Sequence, residues 1–240
     1  MSDAALADGA TAGELAFELP GARVLFTGTR AGNLSLHAGA GHARGLRRRE
    51  ELCERLALRW LCASAQVHGA RVQRVRALEH QRGTPARVSA DGHATALRGV
   101  GVMVLAADCL PVALAADGAV AMLHAGWRGL AAGVIEEGVR AVRELSPGGG
   151  TREHLVAVIG PGAGPCCYEV GAEVRRAFDG AHTHGRNIDL PAIARERLLA
   201  AGVADVRAVR ACTICDPRFF SHRREGERAG RHAGVAWLSS

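Results

Sequence analysis

The sequence contains no lysine. All 30 of its basic side chains are arginines, and 24 acidic side chains leave a formal charge of +6. This charge mildly favours anionic ligands such as phosphate. The one tight basic run, Arg47 to Arg49, has no aromatic residues interleaved with it, so we expect no nucleic-acid partner.

Aromatic residues and long apolar runs are also scarce. Aromatic side chains make up 4% of the 240 residues, so the core must consist mainly of Ala, Val and Leu. No apolar run approaches the ~20 residues of a membrane span, and the N-terminus lacks the features of a signal peptide. We therefore expect no membrane association and a cytoplasmic protein. Its seven cysteines are then thiols or metal ligands rather than disulfides.

Strand-like and helix-like segments alternate irregularly along the chain. Residues 1–18 are expected to be a flexible tail and residues 19–240 a single domain. The pair Asp117-Gly118 lies between apolar runs at residues 112–116 and 119–123 and predicts a β-hairpin. Because a hairpin is antiparallel, the sheet is not purely parallel. The pattern predicts an α+β fold, a layered sandwich of mixed sheets and helices.

The other predicted elements follow from hydrophobic periodicity and from turn residues. The remaining strands are predicted at residues 23–27, 64–67, 71–78, 101–107, 154–159, 205–210 and 232–238. Helices are predicted at residues 48–61, 126–145, 171–178 and 190–201, with a loop at 28–45 and a break at 146–150.

Three residues with metal-binding side chains stand at the ends of predicted strands: His68, Cys109 and His124. Strand ends can hold side chains in fixed positions. Two imidazoles and a thiolate suit zinc, and a catalytic zinc keeps three protein ligands and one open position. Spacing alone leaves a small buried thiol and strand-capping histidines as the alternative.

The neighbours of these residues suggest further roles. Asp108 ends an apolar run, where it could orient a ligand histidine, accept a proton, or cap the turn before Pro111. Gln66 lies two residues before His68 and would face the same side of a strand. Arg128 follows at a predicted helix start, which is either a phosphate or oxyanion site or an ordinary surface position.

Five motifs resemble the YfiH/YlmD family, also called the laccase-domain or FAMIN family, over residues 24–238. They are QVHGARV (66–72), ADCLPV (107–112), HAGWRGL (124–130), IGPGAGPCCYEVG (159–171) and FFSHRR (219–224). The resemblance implies a YfiH-like catalytic domain at residues 19–240, with His68, Cys109 and His124 binding one zinc ion per chain. It also implies a purine nucleoside phosphorylase, with adenosine deaminase and methylthioadenosine phosphorylase activities.

The implied substrates are a purine nucleoside and phosphate, bound by a protein that we expect to be a monomer. Asp108 joins the three metal ligands as a predicted catalytic residue. The predicted substrate contacts are Gln66 and Arg128 near the metal, Arg223 and Arg224 for phosphate, and Phe220 (or Phe219) stacking on the purine.

Three other functions stay open. A multicopper polyphenol oxidase, the older description of the family, needs many paired histidines, and the sequence offers only His182-Thr183-His184. We therefore do not expect copper. A cysteine hydrolase acting on peptidoglycan precursors would use Cys109 as its nucleophile. A non-enzymatic protein would close the zinc with a fourth ligand, such as His93 or Asp108.

Two further features leave alternatives. Cys166 and Cys167 together with Cys212 and Cys215 could bind a second metal, or they could be thiols packed in turns. The loop before Asn33 is shorter than in the family, and the acidic pair that follows the family's Asn-Leu-x-x-His-Val-Gly motif is absent after Gly39, which weakens His37 as a candidate substrate contact.

Overall fold

The computed structural model describes residues 13–37, 41–77, 86–147 and 155–239. Within these ranges, no helix is both long enough and apolar enough to cross a membrane. The strands are β1 Leu15–Leu19, β2 Ala22–Phe26, β3 Trp60–Cys62, β4 Ser64–Ala65, β5 Val72–Val75, β6 Ala86–Ser89, β7 Gly92–Thr95, β8 Val100–Ala106, β9 Leu110–Ala116, β10 Ala119–Ala125, β11 Val156–Ile159, β12 Thr183–His184, β13 Asn187–Ile188, β14 Asp205–Ala208 and β15 His232–Leu238. The α-helices are α1 His42–Arg55, α2 Trp127–Ala131, α3 Val134–Leu145, α4 Ala172–Arg176, α5 Leu190–Ala200 and α6 His222–Glu225, with short 3-10 turns at Thr29–Ala31 and Gly226–Arg228.

Two large mixed sheets form the body of the described fold. One has the order β1-β2-β15-β8-β3 and the other the order β14-β11-β9-β10-β7-β5. Most pairs are antiparallel, while β3 with β8, β5 with β7, and β11 with β14 are parallel. The predicted α+β class with mixed sheets is confirmed.

Strands β9 and β10 lie at the centre of the second sheet and are buried at every position. One face packs on the first sheet, where small residues such as Ala113 and Ala236 meet. The other face packs under α3 and α5. A strand covered on both faces has no solvent side, so it is a continuous apolar run rather than an alternating one.

The predicted hairpin is confirmed and brings two candidate ligands together. Gly118 adopts the positive φ of 71° that the tight turn requires. The register places Pro111 opposite His124 and Leu110 opposite Ala125. Cys109, one residue before β9, therefore lies beside His124 near the end of β10.

The predicted tail extended too far. Leu15–Leu19 pair with β2 throughout, and the buried Glu14 forms an ion pair with Arg55. The burial of Ala16 and Leu19 gives this segment an apolar face, so residues 15–18 belong to a sheet. Residues 1–12 of the predicted tail lie outside the described residues. The extent of the single domain at 19–240 stays a prediction.

The predicted helix boundaries were partly wrong. Helix α1 begins at His42, inside the predicted loop, and it ends at Arg55 because Ala57 takes a left-handed φ of 52°. The predicted helix at 126–145 is two helices, since Gly133 with φ 92° separates α2 from α3. Residues 38–40, 78, 148–150 and 154 of other predicted segments lie outside the described residues.

Candidate metal centre

The structure brings His68, Cys109 and His124 together. One ligand atom from each lies within 4.8 Å of the other two. The glycine that opens helix α2 permits this approach. A Cβ at Gly126 would lie 2.8 Å from Cys109 Sγ and 3.2 Å from His68 Cδ2, so any larger residue would displace the cluster.

Asp91 holds the loop that carries His68. Its buried carboxylate accepts hydrogen bonds from the backbone N–H groups of Val67 at 3.1 Å, His68 at 2.8 Å and Gly69 at 2.8 Å. His68 has a positive φ of 60°, which is uncommon for a non-glycine residue. The three bonds to one carboxylate offset this backbone strain and fix the direction of the imidazole.

The same carboxylate orients His124. Asp91 Oδ1 lies 2.9 Å from His124 Nδ1, and the backbone N–H of His124 donates to the Asp91 carbonyl at 2.6 Å. A proton held on Nδ1 leaves Nε2 as the free donor atom for a metal. Asp91 therefore has the orienting role that the sequence suggested for Asp108. Asp91 precedes the buried strand β7, but the sequence Asp91-Gly92 is also typical of an ordinary turn, so it did not mark the residue.

The charges of the cluster suit a cation. Burial alone would raise the pKa of Cys109, but His124 and His68 beside it lower that pKa to about 6. Burial likewise opposes ionisation of Asp91, yet the hydrogen bonds from His124 and from Gly69 and Val67 hold its pKa below the usual value. A thiolate and a carboxylate thus share a small volume, and the donor set of two imidazoles and one thiolate fits zinc.

The raised pKa of His124 shows the same excess of negative charge in the cluster. Burial lowers its pKa, but the Cys109 thiolate and Asp91 outweigh burial and raise it to about 9. A divalent cation at the three ligand atoms would replace this proton.

The cluster has three members and one open side. Among the described residues, no fourth His, Cys, Asp or Glu joins it. His93, one suggested fourth ligand, places Nε2 at 2.7 Å from Ser64 Oγ. Asp108, the other, accepts from Thr213 Oγ1 at 2.7 Å and from the Arg223 N–H at 2.7 Å. The open side faces a cleft of about 620 Å³.

Cationic side chains line this cleft. Arg128 and Arg223, both predicted, stand on its wall together with Arg49 and Arg231, which the sequence analysis did not select. Arg128 stacks over the Trp127 ring at 4.3 Å, and Arg223 lies over the Tyr168 ring at 5.2 Å. Stacking keeps each guanidinium in place. Arg223 also donates from Nη1 to the Glu169 carbonyl at 2.9 Å, and Arg128 lies 4.0 Å from the Glu173 carboxylate, so each keeps further N–H groups for a ligand.

Arg49 is the unusual member of this set. It is 4% exposed, and burial lowers its pKa to about 10. Among the described residues, the only hydrogen bond of its guanidinium joins Nε to the Leu34 carbonyl at 2.9 Å. A buried cation without a carboxylate partner is costly, so an anionic ligand in the cleft is the natural counter-charge.

The other predicted substrate residues have different surroundings. Gln66 lines the cleft, but its amide donates to and accepts from the backbone of Leu105 at 2.8 Å each. Phe220 packs on Gly230 outside the cleft lining. Arg224 also lies outside the lining, because its guanidinium donates to the carbonyls of Thr213 and Phe219.

Two smaller candidates are also placed. His37 lines the cleft in spite of the short early loop. Phe219 is fully buried and makes an edge contact with His232, with ring centres 5.6 Å apart, so it is a core residue. The aromatic rings that face the cleft are those of Trp127 and Tyr168.

Together, the fold and the cluster define a protein with an open three-ligand metal centre at strand ends, facing a cationic cleft. Residues 27–239 match the family model described as multi-copper polyphenol oxidoreductase laccase. The chain belongs to this family, the YfiH/YlmD or laccase-domain family.

Named relatives include enzymes of purine metabolism. A purine nucleoside phosphorylase of Xylella fastidiosa strain Temecula1 is 42% identical, covering 91% of this chain and 88% of the relative. An adenosine deaminase named RL5, from an unknown prokaryotic organism, is 37% identical over 69% of this chain and 70% of its own. The crystal structure of protein NMB0706 of Neisseria meningitidis has a TM-score of 0.82 at 30% identity and covers 95% of this chain and 100% of that one.

Proposed function

We propose that the protein is a zinc-dependent purine nucleoside phosphorylase, which cleaves adenosine, inosine or guanosine with inorganic phosphate. The observation that carries the proposal is the open His–Cys–His cluster in the same cleft as a buried arginine that has no carboxylate partner among the described residues. The named relatives support the substrate class. A cytoplasmic monomer stays our prediction.

The phosphate needs cations that face one region of the cleft. Among the described residues, the Nη groups of Arg49 have no hydrogen-bond partner, and Arg128 and Arg223 line the same cleft. Arginine binds phosphate through paired N–H groups, which fixes the orientation of the anion as well as its charge. Correct placement of phosphate beside the ribose supplies much of the rate enhancement.

The nucleoside needs an apolar surface for its base and a group that handles protons. The rings of Trp127 and Tyr168 line the cleft, and the base would pack against these rings and the guanidinium groups stacked on them. Bound by His68, Cys109 and His124, zinc would supply a Lewis acid that polarises a substrate oxygen or water. Asp108 lines the cleft next to Cys109, and each of its oxygens accepts one hydrogen bond from the described residues, which leaves a second lone pair on each. We assign it proton transfer.

The test is phosphorolysis by the purified zinc-loaded protein. Inosine with inorganic phosphate should give hypoxanthine and ribose 1-phosphate, and omission of phosphate should stop the release. Cys109→Ala should lose cleavage and the zinc bound by the His–Cys–His cluster, whereas Cys62→Ala, a thiol in the first sheet, should keep both. Absence of phosphate-dependent cleavage with inosine, adenosine and guanosine would refute the proposal.

The phosphate subsite has its own variant pair on helix α1. Arg49→Gln should raise the KM for phosphate by about 10- to 100-fold, since a charge-assisted hydrogen bond is worth ~1.5–3 kcal/mol. Arg48→Gln is the matched control, because that neighbouring arginine pairs with Glu51 on the surface. Equal KM values for both variants would remove Arg49 from the subsite.

The relative named adenosine deaminase supports a second activity at the same centre. Deamination needs an activated water in place of phosphate, so it should persist when phosphate is omitted. Ammonia release from adenosine without phosphate measures it. Loss of this activity together with phosphorolysis in Cys109→Ala would show that both use the same cluster.

Copper polyphenol oxidation is the function that the family description names. Two histidines and a cysteine also suit copper. A multicopper oxidase needs a further histidine-rich cluster, whereas the other group of metal-binding side chains among the described residues consists of four cysteines. His182 of the one His-x-His pair bonds to Glu196. We therefore propose zinc, and metal analysis of the purified protein decides.

A cysteine hydrolase is favoured by one observation. Cys109, His124 and Asp91 have the order of nucleophile, base and orienting acid. Such a triad does not need His68, whereas a three-ligand metal centre does. His68→Ala should abolish activity in a zinc enzyme. Metal-free protein that retains turnover and loses it on alkylation of Cys109 would establish the hydrolase instead.

A further inference from the structure

A second cluster of thiols lies apart from the His–Cys–His centre. The sulfur atoms of Cys166, Cys167, Cys212 and Cys215 all lie within 4.8 Å of one another. Cys215 Sγ is 2.7 Å from Cys167 Sγ and 3.4 Å from Cys166 Sγ. None of the four is in a disulfide. They come from two segments that follow the neighbouring parallel strands β11 and β14.

Backbone contacts hold the segment of Cys166 and Cys167 close to the segment of Cys212 and Cys215. Gly162 bridges to Cys212, and the Thr213 N–H donates to the Gly162 carbonyl at 3.0 Å. The Gly164 N–H points at Cys212 Sγ at 3.3 Å. A Cβ at Gly164 would lie 3.1 Å from Cys212 Cβ, so a larger residue there would push Cys212 away by a few tenths of an ångström.

Simple packing does not account for this arrangement. Thiols that serve as small hydrophobes are usually buried, as Cys53 is here. Cys166 and Cys215 are exposed and gain little from burial. Four sulfurs that converge near the surface, two of them in a Cys-x-x-Cys turn, have the donor set and spacing of a structural zinc site.

We propose that Cys166, Cys167, Cys212 and Cys215 bind a second zinc ion as four thiolate ligands. The site is closed, so its role is to join the two segments rather than to activate a substrate. Binding replaces the thiol protons with one divalent cation and leaves the oxidation state of sulfur unchanged.

The joined segments form part of the wall of the cleft. Tyr168 follows Cys167 directly, and its ring carries the guanidinium of Arg223. Thr213 lies between Cys212 and Cys215 and donates its hydroxyl proton to Asp108. The second zinc therefore positions Tyr168 and Asp108. This consequence rests on the proposed phosphorylase function, whereas the metal site itself does not.

Metal counting tests the site independently of activity. Zinc-loaded, desalted protein should contain two zinc ions per chain by elemental analysis. The double variant Cys212→Ser, Cys215→Ser should contain one, Cys109→Ser should contain one, and the control Cys62→Ser two. Cobalt substitution supplies a spectral signature, since a tetrathiolate site gives intense visible bands that should vanish in the double variant and persist in Cys109→Ser.

The effect on the cleft is read from kinetics of the same proteins. The double variant should keep the first zinc and show a higher KM for nucleoside together with a lower melting temperature. One zinc in the parent protein and none in Cys109→Ser would overturn the proposal. So would a disulfide among the four cysteines in protein purified without oxidant, or iron in place of zinc. If phosphorolysis is absent but two zinc ions are bound, the proposed function fails and the second site stands.

Discussion

Replacing Asp91 with asparagine is the most direct test of the metal centre, because one carboxylate holds two of its ligands. Oδ1 accepts from the His68 N–H and from His124 Nδ1, and Oδ2 accepts from the Val67 and Gly69 N–H groups. An asparagine amide retains one oxygen and turns an NH₂ group toward two donors.

The expected loss follows from this count. Two hydrogen bonds to a charged acceptor, at ~1.5–3 kcal/mol each, are removed, so Asp91→Asn should lower the free energy of unfolding by about 3–6 kcal/mol. Removal of a partner that orients a metal-binding histidine should weaken zinc binding by about 10- to 100-fold. The loss of stability comes from the two hydrogen bonds removed, and the weaker zinc binding comes from the imidazole of His124, which loses its fixed orientation.

The measurements are chemical unfolding of the metal-free protein and zinc competition against a chelator, made at a temperature where circular dichroism shows folded protein. Asp205→Asn is the control, since its carboxylate pairs with Arg207 on the surface and contributes ~0–1 kcal/mol. If the zinc affinity of Asp91→Asn lies within about threefold of that of the parent protein, orientation of the ligands by Asp91 does not determine zinc binding.

Three further outcomes are expected. Gly126→Ala should release zinc, because its Cβ would lie 2.8 Å from Cys109 Sγ, whereas Gly171→Ala at another helix start, with no atom within 4 Å, should not; equal zinc contents would contradict this. In metal-free protein the pKa of His124 is raised to about 9, so its stabilisation is lost as pH rises through 9, and that of Cys109 is lowered to about 6, so its stabilisation is lost as pH falls through 6. Between about pH 6.5 and 9 the folded and unfolded pairs bind the same number of protons, so the two trends offset each other and thermal stability should change little over this range; a steep slope within it would refute the pairing. His232 is buried with both ring nitrogens unpaired among described residues, and burial lowers its pKa to about 4; His232→Leu should therefore unfold at lower pH than the parent protein in acid titration, and an unchanged midpoint would count against it.

The sequence predicted the parts of the centre that depend on local pattern. The Asp117-Gly118 turn predicted the hairpin, and the register of the hairpin places Cys109 beside His124. The same three ligands follow from the strand ends and from the family resemblance. Nothing local distinguished Asp91, because its role depends on β7 pairing with β10 across a long stretch of chain.

Arg49 was missed for a related reason. In sequence it belongs to a basic run at the start of an amphipathic helix, which is typical of a solvated surface. In the structure Arg49 is buried: its Nε donates to the Leu34 carbonyl, and the residue lines the cleft. Phe220 and Arg224 show the opposite case, because a sequence motif marked both as substrate contacts. In the structure Phe220 packs against Gly230, and the guanidinium of Arg224 donates to backbone carbonyls.

The burial of β10 on both faces also determines how the metal can leave. The amide proton of His124, held by the Asp91 carbonyl in the centre of the second sheet, should exchange with solvent deuterium only when the whole fold opens. His68 is exposed, and its loop is held by three hydrogen bonds to the Asp91 side chain, so we expect this loop to open before the sheet does. Metal exchange should therefore begin with release of His68 and proceed much faster than exchange of the His124 amide, while two ligands on a rigid hairpin keep their spacing for the next ion.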